Sequence, residues 1–229
     1  MVAPIPGTRA GLPVYIPHFR LNHSPSTPNF SPGSPYNPSC CAIRINVRLV
    51  TTGSSPVMEN LQIRSAAAKD AHQIAKVHVG TWQFAYRGQM PDSFLNSLST
   101  ESRTTFWQEV LSNPNHPGTV WVAEENKKVV GFCSVGASRD KDRKPETGEI
   151  YAIYVDSNNM GKGVGSRLVD QGVEALKQQG FKEATLWVLD TNEKTRRFYE
   201  SKGWKVDGAI KTELQDGFEL HEVRYRLTL

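Results

Sequence analysis

The sequence predicts an α/β protein of the α+β type, in which a mixed and mostly antiparallel sheet contains one central pair of parallel strands. Three observations lead to this fold class. Residues 119–138 alternate apolar and polar side chains around a turn, as a hairpin does. Residues 149–189 change from a strand pattern to a helix pattern and back, as in a crossover between parallel strands. A second hairpin turn, Gln215-Asp216-Gly217, separates the last two predicted strands.

Composition divides the 229-residue chain into an extension and one ordinary domain. Residues 1–57 contain ten of the fourteen prolines and four arginines, but no Asp or Glu. Such a stretch buries too little apolar surface to offset the entropy lost on ordering, so we expect disorder, with a transient strand at Ala42 to Val50. We interpret the extension as an organelle transit peptide, a Pro-rich docking tail, or sequence upstream of a true start at Met58.

Residues 58–229 carry 23 basic and 23 acidic side chains, so they have no formal net charge. This balance leaves no basic face, and no nucleic-acid partner is predicted. Cys40 and Cys41 are adjacent in the extension and Cys133 lies in a predicted strand, so a disulfide framework is not expected. We therefore expect a reduced, cytoplasmic setting. No apolar run approaches the roughly 20 residues of a membrane-spanning helix, and no membrane partner is predicted.

The first half of the domain is predicted to form one strand and three helices. Apolar residues three and four positions apart indicate the helices, and polar residues with cap chemistry mark their starts. In order, the elements are a strand from Leu61 to Arg64, a helix from Asp70 that ends in the run 82–88, and short helices at 91–98 and 99–111, the second capped by Ser99 or Thr100.

The second half is predicted to form six strands and two helices. Alternating apolar residues indicate the strands, and glycines after the helices mark their ends. In order, the elements are the hairpin 119–125 and 129–138 with Asn126 in its turn, an exposed loop at 139–146, the central strand that ends at Val155, a helix from Gly165 to Gly180, a parallel strand at 184–189, a helix from Asn192 to Lys202 that ends at Gly203, and the final hairpin.

Three glycines at alternate positions, Gly161, Gly163 and Gly165, connect the central strand to the next helix. Glycine allows a tight turn, and amide groups at a helix start are unpaired and lie at the positive end of its dipole. Such a turn suits phosphate, although it also serves as a plain connection. It is not a P-loop because Gly163 follows Lys162, and not a Rossmann fingerprint because Ser166 stands where the third glycine belongs.

The segment from Glu149 to Gly180 resembles the central motif of the GCN5-related N-acetyltransferase superfamily. That motif reads Gln or Arg, any two residues, Gly, any residue, then Gly or Ala, and its amides bind the pyrophosphate of acetyl-coenzyme A. Met160 stands at the Gln/Arg place, and Gly163 and Gly165 are the two small residues. Met160 departs from the pattern, which affects a side-chain contact at that place and not the backbone cradle.

A second segment, Leu189 to Trp204, resembles the family's later motif, in which Asn begins a helix and a Phe-Tyr pair and a Gly-aromatic pair follow. Asn192 and Tyr199 are seven residues apart, about two helical turns, so both project from one face. The resemblance covers residues 61–227 and implies the family's fold, whose parallel strands separate at the coenzyme site. Because the family pattern begins directly after Met58, a true start there is the preferred interpretation of the extension.

The resemblance implies acetyl-coenzyme A as the cofactor and no metal. Acetyl transfer from a thioester needs a neutral amine, a place for the oxyanion and a proton for the thiolate. In the family, the backbone amide that corresponds to Val155 faces the thioester carbonyl, and a tyrosine that matches Tyr199 supplies the proton; alternatively, Tyr199 only closes the core. The implied coenzyme-binding residues are Ile153, Tyr154, Val155, Lys162, Gly163, Val164, Gly165, Ser166, Asn192 and Tyr199.

Several assigned roles have a structural alternative. Glu149 matches a glutamate that many family members use as a base, often through water, yet a carboxylate at a strand end is usually just solvated. Asn192 is expected to contact the pantetheine or ribose, or simply to cap its helix. The resemblance also makes Trp82, Tyr86 and Arg87 candidate contacts of the acceptor, although aromatic residues at helical spacing more often belong to the core.

The predicted function is direct acetyl transfer from acetyl-coenzyme A to a primary amine of a small molecule. Two alternatives remain: acetylation of a protein N-terminus or lysine, and a non-catalytic module that binds acyl-coenzyme A. The partner is therefore a small-molecule or peptide amine. The resemblance also allows a homodimer, since many family members pair through sheet edges or helices.

Overall fold

The computed structural model describes residues 60–215 and 217–229. The predictions for the extension at 1–57, for a start at Met58 and for Asp216 in the last turn lie outside these residues. Within them, no helix is both long and apolar enough to cross a membrane.

Seven strands form one mixed sheet in the order β1-β2-β3-β4-β5-β7-β6. All neighbours are antiparallel except β4 and β5, which are parallel. This confirms the predicted fold class, with its central parallel pair. The strands are β1 (Leu61–Ser65), β2 (Gly118–Glu125), β3 (Lys128–Ala137), β4 (Thr147–Val155), β5 (Glu183–Leu189), β6 (Lys205–Gln215) and β7 (Phe218–Thr228).

Among the described residues, five α-helices connect these strands, close to the predicted positions. Ser99 caps the third helix, because its hydroxyl accepts a hydrogen bond from the Ser102 amide at 3.1 Å. Asp70 precedes the first helix, but its carboxylate binds Arg64 and the Ala67 amide rather than a helix amide. The helices are α1 (Ala71–Ala85), α2 (Asp92–Ser97), α3 (Thr100–Ser112), α4 (Val164–Gln178) and α5 (Glu193–Ser201).

The parallel pair separates soon after it forms. Only Thr147–Glu149 on β4 pairs with Glu183–Thr185 on β5. Beyond these three pairs the two strands diverge, while β4 remains paired with β3 as far as Val155. One edge of β4 is therefore free to bind something other than protein backbone.

Helices pack on both faces of the sheet and divide its core. α4 and α5 cover one face, where Leu168 and Tyr199 belong to the same buried cluster. α1 and α3 cover the other, where Ile74 and Trp107 belong to a second cluster. The end of β4 contributes to both, because successive strand side chains point to opposite faces: Tyr154 packs on the α1 side and Val155 on the α4 side.

Candidate functional site

A cleft of about 1480 Å³ occupies the gap between β4 and β5. Its walls come from both faces of the sheet: the end of α1, the free edge of β4, the start of α4, and the inward side of α5. The glycine-rich turn, Tyr199, Asn192 and Glu149 therefore line one continuous space, although they are distant in sequence.

The glycine-rich turn has the backbone conformation that its sequence predicts. Gly161 has φ 74° and Gly163 has φ 83°, both in the left-handed region that side chains disfavour. Gly163 is the residue before α4, so the amides of Val164, Gly165 and Ser166 open the helix without an intrahelical partner. These amides form a positively polarised end beside the cleft, which suits an anion.

Most of the predicted coenzyme-binding residues line the cleft, with two exceptions. The Lys162 side chain is exposed outside the lining, and Val164 is buried in the core beneath α4. For Val164 the available group is the backbone amide, since its side chain packs inward. The residues that line the cleft are Ile153, Tyr154, Val155, Gly163, Gly165, Ser166, Asn192 and Tyr199.

Backbone direction decides which amides of β4 face the gap. The Asp156 amide donates to the Val130 carbonyl on β3 at 2.9 Å. Because amide directions alternate along a strand, the Val155 amide points the other way, into the gap. Val155, the residue whose amide was predicted to face the thioester, therefore has its amide on the gap side of β4.

Tyr199 and Asn192 both face the cleft from α5. Tyr199 is 3 % exposed, and its hydroxyl makes no hydrogen bond to another residue in the described part of the chain. Burial raises the pKa of the Tyr199 phenol, which therefore stays protonated. Asn192 caps α5 by accepting the Thr195 amide at 3.2 Å through Oδ1, and its Nδ2 is a separate donor. Its two predicted roles are thus compatible.

Glu149 is bound by Arg139 rather than solvated. It is 2 % exposed, whereas the structural alternative for Glu149 was a carboxylate solvated at a strand end. The backbone amide of Arg139 donates to Oε2 of Glu149 at 2.8 Å. The Arg139 side chain donates to Oε1 of Glu149 through Nε at 3.2 Å and through Nη2. Three donors thus take three of about four acceptor positions, leaving room for one further donor.

The candidate acceptor contacts divide into two groups. Trp82 and Tyr86 line the cleft and also pack on each other with ring centroids 5.3 Å apart, so their core and cleft roles coexist. Arg87 is exposed and does not line the cleft. Burial raises the pKa of Tyr86, and it raises that of the neighbouring Tyr154 to about 12, so both phenols are neutral donors.

Several charged residues that line the cleft were not predicted. On β7, Arg224 is 6 % exposed in its side chain and binds Asp140 at 3.0 Å and Asp142 at 2.7 Å. This holds the loop after β3 against β7 and lowers the pKa of Asp142 to about 2. The available signal was the period of two residues along β7, because Glu222 and Arg224 alternate with the apolar Val223 and Tyr225 and therefore share one side of the strand, the cleft side. Arg103 on α3 also lines the cleft.

A sequence-family model matches more than half of this chain. A model described as "Acetyltransferase (GNAT) family" matches residues 82–204, which include both glycine-rich and Phe-Tyr motifs. Among curated proteins, the Uncharacterized N-acetyltransferase YuaI of Bacillus subtilis is 33% identical over 130 residues, 57% of this chain and 72% of that protein. The Probable N-acetyltransferase Rv2775 of Mycobacterium tuberculosis is 27% identical over 169 residues, 73% of this chain and 94% of that one.

Solved structures share the fold at low identity. The PaiA N-acetyltransferase of Thermoplasma acidophilum, in complex with coenzyme A, aligns with a TM-score of 0.57 at 19% identity and covers 74% of this chain and 99% of its own. YncA of Salmonella typhimurium, described as a putative acetyltransferase with its cofactor acetyl-CoA, aligns with a TM-score of 0.57 at 23% identity, over 75% and 95% of the two chains.

Proposed function

Because this chain belongs to the acetyltransferase (GNAT) family, we propose that it transfers the acetyl group of acetyl-coenzyme A directly to a primary amine of a small molecule. The observation that carries the proposal is the continuity of this cleft, which joins the positively polarised start of α4 to the free edge of β4 and then to the aromatic side chains of α1. A phosphate-bearing thioester and an amine can therefore meet inside it.

The chain's own groups fit the coenzyme. The amides of Val164, Gly165 and Ser166 would hold the pyrophosphate at the start of α4. The free edge of β4, from Ile153 to Val155, would bind the pantetheine arm as an added strand binds a sheet edge. Lys162, exposed beside the turn, would add only a solvent-facing charge to the phosphates.

The remaining groups supply the chemistry. Acetyl-coenzyme A, when bound, supplies an activated acetyl thioester. The Val155 amide would donate to its carbonyl oxygen as negative charge develops there. The neutral Tyr199 hydroxyl would donate to the departing sulfur, a role that its burial without an internal hydrogen bond supports.

Glu149 remains the candidate base, acting through water. Arg139 occupies three of its acceptor positions, so at most one water or amine proton has a place on the carboxylate. The guanidinium also balances the carboxylate's charge and fixes its orientation. Arg139 would thus position Glu149 rather than touch the substrate.

The aromatic wall that α1 contributes to the cleft supports a small-molecule acceptor. Trp82 and Tyr86 would contact the acceptor from one wall. Arg87 is exposed outside the lining and would contact only a longer acceptor. Phe84, which is 62 % exposed and lines the cleft, favours the second candidate, a protein N-terminus or lysine, because an exposed ring at a rim suits peptide binding.

A thiol-release assay with acetyl-coenzyme A tests the proposal on the full chain. One panel contains small primary amines, and a second contains short peptides with free N-termini or lysines. We expect amine-dependent thiol release with the first panel. Thiol release with peptides alone would assign a protein substrate in place of a small molecule. No release with either panel would overturn the proposal.

A further inference from the structure

Arg103 is a buried cation without a counter-charge in the described part of the chain. It lies on α3 and is 8 % exposed, yet its guanidinium makes no hydrogen bond or ion pair to another described residue. Two other arginines that line the cleft are paired: Arg224 binds Asp140 and Asp142, and Arg139 binds Glu149. Arg103 therefore differs from these two arginines, and the packing of α3 does not explain why a positive charge lies there.

A guanidinium that has lost most of its hydration and has no carboxylate partner is unfavourable, because no equivalent interaction replaces the lost water. Its contact with a ring, 5.5 Å from the Phe106 centroid, offsets only part of that loss. Burial lowers the pKa of Arg103, and the opposing contribution comes from the Tyr154 phenol rather than from a carboxylate. Guanidinium nevertheless keeps its proton at neutral pH, so a positive charge remains at the cleft wall.

The position of Arg103 points to the acceptor rather than to the coenzyme phosphates. Arg103 and Tyr154 line the cleft on the α1 and α3 side of the sheet, where Tyr154 stacks on His78 with centroids 4.9 Å apart. The start of α4 lies on the opposite face, where a Cβ at Gly165 would contact Val155. Tyr154 and Val155, which are neighbours on β4, thus face Arg103 on one side and the amides at the start of α4 on the other.

We propose that Arg103 binds an anionic group of the acceptor, so that the substrate is an amine that also carries a carboxylate or a phosphate. The planar guanidinium matches both groups with paired hydrogen bonds. The neutral phenols of Tyr86 and Tyr154 would complete the polar lining without competing for the charge. This inference rests on the proposed function, whose substrate class it narrows.

Matched acceptors test the proposal. The probes are L-amino acids beside their amides, and amino sugar phosphates beside the unphosphorylated amino sugars, which distinguish carboxylate from phosphate. We expect the wild-type kcat/KM to favour the charged member of one series by about 10- to 100-fold. In Arg103→Met the ratio should fall to about one, mainly through KM. Arg197→Met, at an exposed site on α5 outside the cleft lining, should keep the wild-type ratio.

Three further readouts separate the proposal from its rivals. Arg103→Met should melt at the same or a higher temperature without ligand, since it removes an unpaired buried charge; a lower melting temperature with an unchanged ratio would indicate a structural role and overturn the proposal. Weaker coenzyme A binding in calorimetry would overturn it by assigning the anion to the coenzyme.

If no amine is turned over, calorimetry of the same probe pairs, with coenzyme A present, still tests the anion site. Selective binding of the charged member that is lost in Arg103→Met supports the anion site, although the proposed function has then failed. Equal binding of both members by the wild type would overturn the anion site.

Discussion

The hydroxyl of Thr81, on α1, donates a hydrogen bond of 3.1 Å to the carbonyl oxygen of Val155, the last residue of β4. Thr81 is buried and lines the cleft. The bond ties α1 to the point where β4 leads into the glycine-rich turn. It therefore joins the aromatic wall of the cleft to the strand edge assigned to the coenzyme.

The first prediction concerns this bond. Thr81→Val keeps the side-chain shape and removes the donor, leaving the Val155 carbonyl without this partner. We expect the free energy of unfolding to fall by about 1–3 kcal/mol and the KM for acetyl-coenzyme A to rise. Denaturant titration and steady-state kinetics measure the two. Thr105→Val, at an exposed site on α3, is the control, and equal changes in both variants would contradict the assignment.

The glycine-rich turn gives a second prediction. Gly163→Ala forces a side chain into the left-handed region and should cost about 1–2 kcal/mol of stability. It should also weaken coenzyme A binding by about 10- to 100-fold, because the amides at the start of α4 shift.

Gly180 provides the matched control at the other end of α4. It has φ 89°, so Gly180→Ala should cost similar stability and leave coenzyme affinity unchanged in calorimetry. Equal affinity in the two variants, both folded, would remove the phosphate-binding role from the turn.

Tyr199→Phe tests the proposed proton donor. The ring and its packing against Trp204 remain, while the hydroxyl is lost. We expect kcat to fall by about 100-fold or more, with coenzyme affinity unchanged. A variant with wild-type kcat would show that Tyr199 only fills the core.

The raised pKa of Tyr199 also predicts a pH dependence. The ordinary phenol pKa is 10.0, and burial raises the value in the folded state. The neutral phenol's contribution to stability is therefore complete below pH 10 and is lost as the pH rises above it. Denaturant midpoints from pH 8 to pH 11 should fall more steeply for wild type than for Tyr199→Phe. Parallel curves would mean that the folded and unfolded phenols titrate alike.

The pair of Glu149 and Arg139 requires a double-mutant cycle. Glu149→Gln alone removes the carboxylate that balances Arg139, so both stability and kcat should fall. Adding Arg139→Gln removes the uncompensated charge, and we expect it to restore part of the stability but none of the activity. Recovery of kcat together with stability would assign Glu149 a structural role only.

Local patterns were sufficient for the architecture. The hairpin of β2 and β3, the parallel crossover through α4 and the cap at Ser99 each depend on residues close in sequence, where hydrophobic period and turn chemistry act directly. The glycine-rich turn was predictable for the same reason, since left-handed φ values at Gly161 and Gly163 need no distant partner.

The polar side of the cleft was harder to predict because it depends on tertiary packing. The sequence predicts an exposed loop that begins at Arg139, and only the folded chain brings Arg139 into contact with Glu149, ten residues away on the next strand. Arg103 has a local signal in the sequence, because it lies four residues before Trp107, in the same buried stripe of α3. A charge in an apolar stripe indicates either a buried partner or a ligand.

Because β4 and β5 pair over only three residues, the sheet consists of two half-sheets, of four and three strands, that are joined by three residue pairs. A pantetheine arm lying along β4 would occupy the edge of β4 where hydrogen bonds to β5 are absent. The halves should then resist separation more strongly when loaded than when empty, and amide hydrogen exchange in residues 150–155 should slow on coenzyme binding. Bound coenzyme would therefore form part of the connection between the two half-sheets.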